Sequence, residues 1–89
     1  MDTRAISADT YKAILVTAGD AHKDLALQFG LLAKISKDEQ DYILKAEQLV
    51  NLMMQYSDED IDAIFVEEPL SREDFLTALK TIYTNLKAL

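Results

Sequence analysis

The chain has 89 residues, 49% of them hydrophobic and 28% charged, with a net charge of −7. That length is one domain, residues 1–89, and surface scaling lets such a chain bury roughly 64% of its unfolded surface, enough for one modest core. The absence of cysteine excludes a disulfide framework, thiolate metal ligands and cysteine catalysis, the single histidine excludes any site that needs two, and the excess of acid argues against a generic nucleic-acid partner, whose phosphates must be met by Lys and Arg.

Met1–Ser7 has no basic region followed by an apolar run, and the longest apolar stretches, such as Ala13–Val16, fall far short of the ~20 residues a membrane span needs. A soluble, cytoplasmic protein without membrane contact is expected. Four serines, Ser7, Ser36, Ser57 and Ser71, each precede a run with helical periodicity. In the first run Tyr11, Leu15, Ala18, His22, Leu25, Phe29 and Leu32 recur at alternating steps of four and three. The phase holds across Gly19, which predicts one helix over 8–34, since an interior Gly costs only about 1 kcal/mol relative to Ala. The alternative ends a helix at Gly19 and starts another with Asp20 as its cap.

A second helix is predicted over 37–56. Ser36-Lys-Asp-Glu39 matches a capping box at its start, and Tyr42, Ala46, Leu49, Met53 and Tyr56 form its inward stripe. Ile43, Val50, Leu52 and Met54 widen that stripe enough for two neighbours. A short helix over 58–66 has Ile61, Ile64 and Phe65 inward, behind a looser cap at Ser57. Pro69 stops the chain before a last helix over 72–88, with Phe75, Leu79, Ile82, Leu86 and Leu89 inward and Thr77, Lys80, Thr84 and Lys87 wet. No strand-period run competes. The expected fold is all-α: an antiparallel bundle of three long helices (8–34, 37–56, 72–88) with one short helix (58–66) closing an end.

Nearly all of the charge imbalance lies in one segment. Residues 58–71 hold six acids and no base: Asp58, Glu59, Asp60, Asp62, Glu67 and Glu68. Part of this run complements the positive ends of helix dipoles. The rest is a single-sign surface suited to docking a basic protein partner. Asp58-x-Asp60-x-Asp62 also matches the opening of a calcium loop, which makes carboxylate-held metal an alternative. The remainder of that motif is missing: its sixth position, normally Gly, is Ala63, and its twelfth, normally a bidentate Glu, is Pro69.

His22 falls inside the apolar arc and is expected to be a partly buried histidine bonded to a neighbour such as a Tyr hydroxyl; a phosphoryl acceptor or proton relay is the functional alternative. The stretch Ile14–Leu25, with its Ala18-Gly19-Asp20-Ala21 run, resembles the first helix of the lactose/cellobiose-type IIA phosphotransferase subunits. The resemblance implies a small helical bundle. It implies no activity, because the histidine that defines that family lies in a later helix and no histidine follows residue 22 here. An all-helical chorismate mutase needs several inward cations, and only Arg4 and Arg72 are arginines, neither on an inward face. Gly19 and Gly30 are isolated and make no phosphate loop, and Met53-Met54 reads as core.

Val16, Leu27 and Leu31 fall on the outer side of the first helix and form a candidate homodimer or partner surface, with Leu44 isolated on the second. Taken together, the residues predict a non-catalytic interaction or regulatory protein without a cofactor, of the inhibitor, immunity or adaptor kind.

Overall fold

Serine and aspartate side chains set where the helices begin. In the computed structural model, which describes residues 6–89, Ser7, Ser57 and Ser71 each accept the backbone N–H three residues on. Those caps open α1 (Ala8–Tyr11), α5 (Asp58–Ile64) and α6 (Arg72–Ala88). Ser57 and Asp60 make the full reciprocal capping box. Ser36 does not cap the next helix as its motif suggests. Its hydroxyl donates to the Leu32 carbonyl at 2.7 Å and closes α3 (Lys23–Ile35). Asp38 caps α4 (Glu39–Met53) instead, accepting from Asp41 N–H at 2.8 Å. Glu39, freed from a capping box, accepts the Ser7 N–H at 2.9 Å and joins the start of α4 to the start of α1. The Thr10 and Ser7 hydroxyls, with that N–H, hold the Glu39 carboxyl below the usual carboxylate range. Arg4 and the rest of Met1–Ala5 lie outside the described residues.

The predicted helix over 8–34 is two helices. From α1 the chain passes through a π turn (Lys12–Val16) into α2 (Thr17–Ala21), all with helical dihedrals, so these three make one rod. At His22 the backbone becomes extended (φ −167°, ψ 137°), and α3 begins. The break is not at Gly19, which stays helical inside α2. The rod and α3 fold back on each other. Leu15 lies 3.8 Å from the Cβ position of Gly30, and Ala26 lies 3.7 Å from that of Gly19. These pairs are nearly symmetric about residue 22, as in an αα-hairpin. A straight helix of that length would measure about 40 Å at 1.5 Å per residue. The whole molecule extends only 34 × 23 × 20 Å. Periodicity missed the break because both halves turn their apolar faces to the same core, so one extended residue leaves the phase intact.

Four rods therefore form the bundle. The first rod packs on α3 and α6, and α4 also packs on α3 and α6, closing a ring with antiparallel neighbours. The antiparallel sense of α4 and α6 is seen where Lys87, at the end of α6, pairs with Glu47 in the middle of α4, while Phe75, at the start of α6, stacks on Tyr56 just past the end of α4. That of the first rod and α6 is seen where Asn85, late in α6, reaches Ala13, early in the rod, while Asp74, early in α6, lines one groove with Asp20, late in the rod. The Asn85 bonds also explain how the π turn is tolerated. Wide π hydrogen bonding leaves backbone groups poorly served. Asn85 Nδ2 donates to the Ala13 carbonyl at 3.1 Å, and the Thr17 hydroxyl donates to the Lys12 carbonyl at 3.0 Å. The extra residue of the turn also shifts the phase. Tyr11, expected inward, is 49% exposed, and Thr10 is buried in its place.

The core is built on Ile14, Leu25, Phe29, Tyr42, Val50, Phe65, Phe75, Leu79 and Ile82, all buried. The Tyr42 hydroxyl is satisfied there by donating to the Phe29 carbonyl at 3.1 Å. Leu52 and Leu89 were expected to face inward and are exposed. α4 ends at Met53, three residues before its predicted end, and a turn leads to α5. α5 and the loop 65–71 close the end of the bundle where the first rod meets α3 and where α6 begins. Phe65 packs edge-on to Phe75 with centroids 5.7 Å apart. No strand occurs among the described residues, and none of their helices is long and apolar enough to cross a membrane.

Candidate functional site

Closing that end gathers charge. The predicted segment brings Asp58, Glu59, Asp60, Asp62, Glu67 and Glu68, all exposed. The fold adds four carboxylates from elsewhere in the chain: Asp20 at the end of α2, Asp24 in the first turn of α3, and Glu73 and Asp74 in the first turn of α6. Ten carboxylates thus share one end of the molecule with two bases, Lys23 and Arg72. The linear sequence hid the added four, because their own segments are nearly charge-balanced. Only the antiparallel topology sets the end of α2 and the starts of α3 and α6 around α5.

The six predicted residues do different things. Asp58 accepts from Arg72 Nε at 2.6 Å, and Arg72 Nη2 also donates to the Tyr56 carbonyl at 2.9 Å, so this pair fastens α5 to α6. Asp60 is the reciprocal partner in the Ser57 capping box. Glu67 and Glu68 stand 3.9 and 3.7 Å from Lys23 Nζ, a loose surface arrangement of small energetic weight. Glu59 and Asp62 have no ionic or hydrogen-bonded partner among the described residues. Helical spacing puts them on one side of α5 with Ala63. Just beyond, Val66 is 72% exposed. The pole thus offers an exposed apolar residue, Val66, next in the chain to Glu67 and Glu68.

His22 lies beneath the pole and is not a reactive group on its surface. It is buried, and its ring packs on Phe65 with centroids 4.6 Å apart. Its expected Tyr hydroxyl partner is replaced by two backbone groups. Nδ1 accepts the Asp24 N–H at 3.0 Å, capping α3, and Nε2 donates to the Glu68 carbonyl at 2.6 Å, pinning the acidic loop. Both bonds require the Nε2–H tautomer. With both nitrogens committed, a phosphoryl group would have to displace one of these bonds.

Calcium-like coordination finds little geometry here. Asp58, Asp60 and Asp62 stand on a helix, where alternate residues diverge by about 200°, and two of the three already have partners. No group of three or more potential metal ligands converges among the described residues.

The candidate oligomer residues Val16, Leu27 and Leu31 are all exposed. Ile35, four residues beyond Leu31 and 66% exposed, extends the stripe along α3. Val16 stands apart from that helix, on the π turn of the first rod. Leu44 is exposed singly on α4.

Comparison with protein-family models, with curated proteins and with solved structures brings no match. The stretch that resembles the first IIA helix is itself not one helix, since it runs through the π turn and α2 and then breaks at His22.

Proposed function

We propose that this chain is a non-catalytic protein-interaction module that docks a basic partner on its acidic pole. The observation that supports it most is the asymmetry of charge: ten carboxylates and two bases at one end of a small bundle whose remaining described surface is close to balanced. A field of one sign raises the encounter rate with an oppositely charged surface and sets its orientation. Val66, exposed next to Glu67 and Glu68 in the chain, offers the apolar contact that charge alone does not supply. Inhibitor, immunity and adaptor proteins all fit this description.

A basic amphipathic helical peptide tests it, with binding followed by fluorescence anisotropy. The expected result is affinity that falls steeply with salt and drops at least about tenfold when Glu59, Asp62 and Glu67 are changed to Lys. Asp58 and Asp60 are left in place because they hold α5 together. Asp9→Lys, at the opposite end, should leave affinity nearly unchanged. Equal weakening by the two sets of changes would reduce the pole to a solvated surface.

A second contact surface is supported by the stripe Leu27, Leu31 and Ile35, and we propose self-association through it. This face lies on α3 and leaves the tip of the pole open.

A further inference from the structure

Where α2 and α6 run side by side below the pole, they leave a groove of about 550 Å³. Its apolar lining includes buried Ala78 and Leu70, which packs against the core. Asp20 stands on its α2 wall and Asp74 on its α6 wall. Neither carboxylate has a hydrogen-bonded or ionic partner among the described residues, and no base lines the groove. Thr17 and Thr77 add hydroxyls on the two walls. Thr17 is held in place, since its oxygen accepts from Asn85 at 3.1 Å while its proton goes to the Lys12 carbonyl.

Apolar lining beside two carboxylates without a partner among the described residues matches a side chain with a long methylene stem and a cationic head. We propose that the groove receives an arginine side chain of the basic partner, an assignment that rests on the docking role of the pole. The stem covers Leu70 and Ala78, as long cationic side chains do on apolar surface. The guanidinium lies between Asp20 and Asp74, where its planar set of five donors serves both walls at once; a lysine ammonium is a single compact charge. The groove continues from the acidic loop through Leu70, so a partner seated on the pole has the groove within reach.

The test is a titration of the ¹⁵N-labelled full chain with the blocked peptide Ac-Ala-Arg-Ala-NH₂ at low salt, with the glutamine peptide as control. Saturable shifts at the amides of Asp20, Ala21, Asp74 and Ala78 are expected with the arginine peptide and none with the glutamine peptide. Asp20→Asn combined with Asp74→Asn should weaken binding at least about tenfold, each single change giving an intermediate loss, while spectral dispersion shows the fold kept. No saturable shift, or one that the double change leaves unaltered, overturns the proposal. Shifts confined to Glu59, Asp62 and Glu67 would overturn the groove and leave the pole as a docking surface. Groove binding that persists while the triple Lys change fails to affect the amphipathic peptide would remove the pole and keep the groove.

Discussion

Removing the His22 imidazole takes away two part-buried bonds, the cap on α3 and the tie to the Glu68 carbonyl. His22→Leu should cost about 2–3 kcal/mol in urea unfolding, because both backbone groups lose a partner at a part-buried site. His22→Asn should cost only about 1 kcal/mol, since Asn is a good N-cap and only the loop tie is lost. Equal losses would show that capping is not what His22 contributes. Tyr42 offers a test by pH. Burial pushes its phenol from the ordinary 10.0 up to about 12. Between those values an unfolded chain has released the proton and the folded chain still holds it, so stability falls as pH rises. The slope is about 1.4 kcal/mol per pH unit, or about 3 kcal/mol over the whole interval. Tyr42→Phe should remove its own part of that slope while losing about 1 kcal/mol at neutral pH with the bond to Phe29, as urea unfolding at neutral and alkaline pH will reveal. Neither role could be read from residue type. The stripe placed both side chains inward, but the carbonyls they meet belong to other elements.

Helix starts were the most legible elements. Ser7, Ser57 and Ser71 cap where expected, because a cap is a local bond between a side chain and a backbone three residues away. Ser36 failed as a cap because a nearby competitor, Asp38, has the same chemistry, and the choice between them depends on how α3 ends. The break at His22 left no mark in the apolar rhythm, while Gly19, read as interior to a helix with a break there as the alternative, is helical. That difference makes a prediction. A Cβ at Gly19 would meet Ala26 at 3.7 Å, and one at Gly30 would meet Leu15 at 3.8 Å, both ordinary contacts. Neither glycine has a positive φ. Gly19→Ala and Gly30→Ala should therefore each raise stability by about 0.5–1 kcal/mol, seen as a higher melting temperature. Destabilisation by Gly30→Ala would mean that the rod and α3 approach more closely than the contact with Leu15 allows.

At the scale of the whole molecule, the acidic end and the apolar stripe on α3 are separate surfaces and can be tested separately. Sedimentation should find a concentration-dependent mass for the wild-type chain that is lost with Leu27→Lys plus Leu31→Lys, at unchanged helical content. A monomer at every concentration would leave the stripe as ordinary exposed aliphatic surface, of the kind most proteins carry. The all-α class, the position of α6 and the acidity of 58–68 followed from the chain alone, because period, capping and charge count are properties of neighbours along it. What the tertiary structure alone decided is which distant residues stand together. It folded the first predicted helix into a hairpin at His22 and closed four rods into a ring. It also brought Asp20, Asp24, Glu73 and Asp74 to the end already occupied by α5. Periodicity records only which face of a segment leaves water. It carries no information about direction, so a reversal that keeps the same face inward cannot be seen before the helices pack.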